Sequence, residues 1–196
     1  MAKRVSVGRP EATSHAAIEQ AAFALFAERG FEATTLDAIA DAVGVGRRTL
    51  FRYYRSKNDI PWGQFDQTLA HFRDLLAASP PELGLHEAIG RAIVEFNRFP
   101  ADASPPHVER MRLLLRTPAL QAHSALRYAE WREVIVEYAA ARLGVPVDAL
   151  EPRLLGHTGL ALARTAYELW LDDPSREITE VIEEGMAALS GQNWIG

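Results

Sequence analysis

Five cations, Arg47, Arg48, Arg52, Arg55 and Lys57, fall within eleven residues that contain no acid. Guanidinium and ammonium groups at that density are suited to pairing with phosphate oxygens, and an arginine fork can also take the O6 and N7 of guanine. The rest of the chain offers little competing chemistry. It has no cysteine, which excludes thiolate catalysis, disulfides and cysteine-ligated zinc. Its histidines, His15, His71, His86, His107, His123 and His157, fall at no metal-ligand spacing. No Gly-x-Ser-x-Gly elbow, phosphate-binding loop or His-Glu-x-x-His occurs. Gly44-x-Gly46 is not a dinucleotide fingerprint, because no strand precedes it and no third glycine follows. The expectation is a protein that is not an enzyme and that uses neither metal nor cofactor.

The net charge of −5 argues against a nucleic-acid partner only if it is evenly spread, and it is not. Residues 1–57 hold nine Lys and Arg against six Asp and Glu, whereas residues 58–196 hold twelve against twenty. The phosphate-binding potential therefore lies in the first third. Hydrophobic residues make up 48% of the chain, ample for a core. There is no long uncharged apolar run, and MAKRVSVGRP lacks the apolar stretch of a secretory signal. A cytoplasmic protein with no membrane partner is expected.

The elements that would position the cations can be read from caps and periodicity. Residues 1–13, with Lys3, Arg4 and Arg9, form a basic arm without periodicity. From Ser14, Ile18, Ala21, Ala22, Leu25 and Phe26 recur at helical spacing, and Gly30 stops that helix. Thr34 and Thr35 stand ready to cap a second, with Asp37 three residues after Thr34 as in a capping box, and Leu36, Ile39, Ala40 and Val43 as its inner face. Gly44-Val45-Gly46 then turns directly into a third helix over 47–54. Two helices so short and so closely joined make a helix-turn-helix corner.

Beyond Lys57 the pattern is helical throughout, so the fold class expected is all-α, with about nine helices. The domains expected are 1–57, the helix-turn-helix with its arm, and 58–196, a helical ligand-binding and dimerisation domain. Further helices are predicted near 58–77, 85–98, 107–115, 119–143, 149–171 and 175–189. The last two carry more apolar surface than a small domain needs to cover. Leu155, Gly156, Gly159, Leu162 and Ala163, with Ile178, Val181, Ile182 and Met186, are therefore expected to form the interface of a homodimer.

Residues 14–62 resemble the tetracycline-repressor (TetR) family of regulators. The match runs in order and at the family spacing through Leu25-Phe26-Ala27-Glu28-Arg29-Gly30-Phe31, Thr34-Thr35-Leu36-Asp37-Ala38-Ile39-Ala40, Ala42-Val43-Gly44-Val45, Thr49-Leu50-Phe51-Arg52-Tyr53-Tyr54 and Ser56-Lys57. The resemblance implies a palindromic double-stranded DNA operator, with the third helix in the major groove. Arg47 and Arg48 would reach guanine or phosphate, and Arg52 bases or backbone. Thr49 and Tyr53 look like the family's phosphate donors, Lys57 like its phosphate clamp, and Thr35 adds a contact at the second helix's start. Two departures stand out: Gly46 replaces a frequent capping Ser or Thr, and Phe51 a frequent Tyr.

A closer resemblance runs from Gly46-Arg47-Arg48-Thr49 through Arg52-Tyr53 to Ser56-Lys57-Asn58-Asp59-Ile60-Pro61-Trp62-Gly63, which is similar to the mycofactocin-associated regulators. It implies control of redox or alcohol-metabolism genes and a fatty acyl-CoA effector. Phe72, Phe96, Met111, Leu115, Tyr128, Trp131 and Trp170 are expected to line the pocket, with Arg98, Arg110, Arg112 or Arg127 near the CoA phosphates. The alternative is a helix-turn-helix regulator controlled by a protein partner alone.

Overall fold

A computed structural model describes residues 13–100 and 102–191, so the expected basic arm lies, apart from Thr13, outside the described residues. Among the described residues there are nine α-helices and no strand. The chain divides into two compact units, one through Gly63 and one from Gln64.

The first unit holds α1 (His15–Arg29), α2 (Leu36–Ala42) and α3 (Arg47–Leu50). Ser14 caps α1 by accepting the Ala17 N–H at 3.2 Å, and Ile18, Ala22, Phe23 and Phe26 are buried along it. Thr35, not Thr34, caps α2, accepting the Ala38 N–H at 3.1 Å. Thr34 is fully buried, its hydroxyl bonding the Gly30 carbonyl at 2.8 Å, so the capping box expected from Thr34 to Asp37 does not form. The third helix is shorter than 47–54. Regular α-helix ends at Leu50, and turns closed by Arg52 N–H to Thr49 O and Tyr53 N–H to Leu50 O carry the chain onward. The expected helix over 58–77 is also broken. Lys57–Trp62 is a 3-10 turn containing Pro61, and Gly63 at φ 60° ends it. That turn belongs to the first unit, which places the boundary after Gly63 rather than after Lys57.

The second unit holds α4 (Phe65–Ala77), α5 (Leu85–Phe96), α6 (His107–Arg116), α7 (Gln121–Leu143), α8 (Leu150–Trp170) and α9 (Ile178–Ser190). Phe72, Leu76, Ile93, Leu120, Ile135 and Ile182 form its dry centre. The long α7 packs along α8, and α8 along α9. The α7–α8 approach requires glycine. A Cβ on Gly156 would lie 2.6 Å from Val136 Cγ2 and 3.1 Å from the Arg132 carbonyl oxygen, and one on Gly159 would lie 2.8 Å from Ile135 Cδ1.

This corrects the expected dimer face. Gly156, Gly159, Ala163, Ile178, Val181 and Ile182 are buried within a single chain, while Leu155, Leu162 and Met186 are half-buried. Helical periodicity identifies an apolar stripe but not whether α7 or a second copy covers it, and here α7 does. The exposed stripe of α8 is the opposite one: Leu150, Leu154, Thr158, Ala161, Thr165 and Leu169. Leu150 is 81% exposed, Leu154 58% and Leu169 61%.

Gly159→Leu should therefore damage folding rather than association. Driving a side chain against Ile135 and Ile93 is expected to cost about 1–3 kcal/mol in denaturant unfolding, the usual penalty of overpacking. Wild-type stability in this variant would mean that the two helices are not in such close contact.

Candidate nucleic-acid interface

A four-residue helix brings its cations together only if other residues hold it in place. Leu50 is buried beneath α3, and the buried Tyr54 just beyond donates its phenol to Glu19 Oε1 of α1 at 2.6 Å. The Tyr53 hydroxyl donates to the Thr13 carbonyl at 2.7 Å, and the His15 ring packs edge-on against both tyrosines. The start of α1 is thus fixed to the end of the α3 turn.

The residues expected to contact DNA divide into two sets. The side chains of Arg48, Arg52 and Arg55 are exposed and make no hydrogen bond or ion pair among the described residues. Thr35 is exposed, and its oxygen accepts from Ala38, which leaves the hydroxyl proton free to donate outward. Thr49 is half-buried with no side-chain partner among the described residues. Arg47 is exposed but engaged. Its Nη1 lies 3.3 Å from Asp37 Oδ2, and its guanidinium sits 5.5 Å from the centre of the Phe51 ring.

Tyr53 and Lys57 belong to the second set, and here the expectation is corrected. The single phenolic proton of Tyr53 is spent on Thr13. The Lys57 ammonium donates to three carbonyls of the α1–α2 turn, Phe31 at 2.6 Å, Thr34 at 2.8 Å and Glu32 at 3.2 Å, and lies 4.4 Å from the centre of the Phe31 ring. An ammonium has three protons, and all three are taken. Burial lowers the Lys57 pKa from the usual lysine value, with the Glu32 carboxylate opposing the shift. Lys57 is a staple between the 3-10 turn and the turn before α2, not a free phosphate clamp. Its sequence position says only that a cation is near; the carbonyls that claim it come from residues 23 to 26 positions earlier.

In the second unit the residues expected to line a pocket fall into separate groups. Phe72 stacks on Trp131 at 4.9 Å and packs against Phe96 at 4.7 Å, forming one aromatic cluster. Trp170 belongs to another, with Tyr167 and His107. Met111 and Leu115 are half-buried on α6, and Tyr128 is half-buried on α7. Arg98 is paired with Glu95 and Arg127 with Glu130. A cavity of about 230 Å³ opens elsewhere, between α7 and α8, bordered by Arg132, Val136, Arg153 and His157 among others.

Comparison with known proteins agrees with this architecture. The sequence model for bacterial regulatory proteins of the tetR family matches residues 18–60, and that for the MftR C-terminal domain matches residues 83–192. The chain is 43% identical to the mycofactocin biosynthesis transcriptional regulator MftR of Mycobacterium tuberculosis, over 90% of this chain and 89% of that one. Two solved structures share its fold. FadR of Thermus thermophilus, a TetR family transcriptional repressor in complex with lauroyl-CoA, aligns with a TM-score of 0.60 at 23% identity, over 93% of this chain and 96% of that one. FadR of Bacillus subtilis in complex with stearoyl-CoA aligns with a TM-score of 0.60 at 15% identity, over 91% and 98%.

Two substitutions separate the two sets of cations. Lys57→Met should lower stability by about 1–3 kcal/mol, because carbonyls lose their donor, and leave the salt dependence of binding to random duplex DNA unchanged. Arg48→Ala should leave stability alone and reduce that salt slope by about one if it meets phosphate, or cost about 1–3 kcal/mol on operator if it meets a guanine. A slope reduced equally by both substitutions would return Lys57 to the phosphate backbone.

Proposed function

The chain belongs to the tetR family of bacterial regulatory proteins, with a C-terminal domain of the MftR type, and from that membership we propose that it is a homodimeric repressor released from a palindromic operator by a fatty acyl-CoA. The observation that carries the DNA-binding part is the row of exposed, unengaged guanidinium groups at Arg48, Arg52 and Arg55 on and just after α3. Arg47 and Thr35 complete the surface offered to the duplex.

The exposed stripe of α8 supports the dimer. Leu150, Leu154 and Leu169 leave leucine in water along one helix face, and covering such surface is worth about 25 cal/mol per Å². A two-fold axis past this face would pair α8 with α8 of a second copy. Two-fold symmetry in turn favours a palindromic operator, with half-sites about one helical turn apart or a multiple of it.

The effector reading draws on the acyl-CoA complexes of the two FadR structures and on how lightly α6 is held. Leu114 is the one α6 residue fully buried among those described, while Val108, Met111 and Leu115 are only partly covered. An acyl chain entering under α6 would gain these side chains and the Phe72–Phe96–Trp131 cluster as lining. Release requires the ligand to prefer the conformation that does not bind operator; a 100-fold preference supplies about 2.7 kcal/mol.

Replacing Leu154 and Leu169 together by glutamate should convert the dimer to a monomer by light scattering without changing helix content; a variant that stays dimeric places the interface elsewhere. Oleoyl-CoA titrated into a fluorescent operator complex should release the DNA, whereas CoA alone should not. If oleoyl-CoA, oleate and CoA all leave the complex intact, the acyl-CoA effector is abandoned.

A further inference from the structure

We propose that the cavity between α7 and α8 is a binding site for a small zwitterion, an α-amino acid with an aliphatic side chain. None of the residues bordering it belongs to the Phe72–Phe96–Trp131 cluster, so it is a second site, independent of the acyl-CoA reading above.

The cavity, of about 230 Å³, lies where α7 turns into α8. Sites for drug-sized ligands begin at roughly 300 Å³, so this one suits a small metabolite and is too small for a CoA thioester. Its walls carry both signs of charge. Arg132 and Arg153 bring guanidinium groups, and Glu133 and Asp148 bring carboxylates. None of the four makes an ion pair or a side-chain hydrogen bond among the described residues, whereas Arg127 on α7 and Arg164 on α8 are both paired. Opposite charges that border one cavity without closing on each other leave room for a molecule that satisfies both. A ligand of one sign is attracted by two of these groups and repelled by the other two. A zwitterion is attracted by all four, its carboxylate matching a planar guanidinium fork and its ammonium the acids. Val136 and Val147 add an apolar wall, which favours an aliphatic side chain over a polar one. His157 completes the border on α8.

The packing behind the cavity holds Arg132 in place. A Cβ on Gly156 would lie 2.8 Å from Arg132 Cγ and 2.6 Å from Val136 Cγ2, so the backbone of α8 presses on the arginine stem and on the valine beside it. The guanidinium therefore extends from a half-buried, confined stem, which reduces the conformational entropy lost when a carboxylate binds it. Arg153 stands in the opening turns of α8, whose N-cap, Ala149, has no side-chain acceptor, and the positive end of the helix dipole adds to its charge.

The test uses the full chain without DNA or acyl-CoA, so its result is separable from the readings above. Calorimetric titration with L-leucine or L-valine should show saturable binding. Isocaproate, which is leucine without its ammonium, and isoamylamine, which is leucine without its carboxylate, should each bind at least about tenfold more weakly, because each forfeits charge-assisted contacts. Arg153→Gln and Glu133→Gln change exposed side chains, so both should keep the wild-type unfolding temperature while losing about tenfold in affinity for L-leucine. In methyl NMR spectra the Val147 signals, assigned by their loss in Val147→Ala, should move on titration. Absence of binding by both amino acids at millimolar concentration overturns the inference. Isocaproate binding as tightly as leucine makes this an anion site and overturns it too, as does a leucine affinity unchanged in either glutamine variant, which places the binding elsewhere.

Discussion

A helix of four residues cannot hold itself in water, because forming the first turn fixes several residues for one hydrogen bond and isolated helices need about 12–15 residues to be even marginally stable. α3 is that short, and the rest of the first unit compensates for it. Leu50 and Tyr54 are buried on either side of the turn, Tyr54 is bonded to Glu19 on α1, Tyr53 to the backbone of Thr13, and Arg47 to Asp37 on α2. Each of these ties comes from a different part of the unit. α3 is therefore held by its surroundings, and a change in α1 or α2 would be felt there.

Donors spent on holding α3 are not available to DNA. Tyr53 and Lys57 show the same economy, a polar group that would suit phosphate but is used inside the protein. What remains outward is Arg48, Arg52 and Arg55, with Thr35 and the donors of Arg47 that Asp37 does not take. These few charges matter because the chain as a whole is acidic, at −5, and residues 58–196 carry the excess of Asp and Glu. A polyanion is disfavoured along most of this surface within the screening distance of about 8 Å at physiological salt. Among the described residues, the unpaired positive charge of the first unit is thereby concentrated on α3 and the turn that follows it.

Most of the fold was legible because helices announce their ends. Ser14, Gly30, Gly44 and Gly144 mark starts and stops, and apolar spacing between them gives the faces. The corner was legible from the brevity of its two helices. Three features were hidden, each for a physical reason. Thr34 and Thr35 are interchangeable in sequence, and only packing decides that the first is buried and the second caps. α8 is apolar or small on two faces, and Gly156 and Gly159 serve the inner one because Val136, Arg132 and Ile135 of α7 lie too close for a Cβ. Lys57 reads as a surface cation, yet its three acceptors lie in a turn remote in sequence. Side-chain destinations across such distances do not follow from local pattern.

The attachment of α6 shows how a lightly packed helix can still have a defined position. The Tyr167 hydroxyl has one proton and donates it to Asn97 Oδ1 at 2.7 Å, while Asn97 Nδ2 donates to the Ile93 carbonyl at 2.7 Å. The 2.8 Å contact between Tyr167 and His107 Nε2 must then have the imidazole as donor, which fixes the tautomer of the first residue of α6. Burial, aided by the Arg110 charge, pushes the His107 pKa down to about 3. The ring is therefore neutral at physiological pH, and the direction of this hydrogen-bonded chain is constant there. At the other end, Arg116 reaches Asp172 at 2.7 Å across exposed surface, a pair that salt weakens. α6 is thus held at its start by a shielded polar chain and at its end by this ion pair and by Gln121 Nε2, which donates to the Leu114 and Leu115 carbonyls at 3.3 Å. The charge-neutral chain through His107, Tyr167 and Asn97 is insensitive to salt, whereas the outer ion pair is not, so the two ends of α6 respond differently to ionic strength.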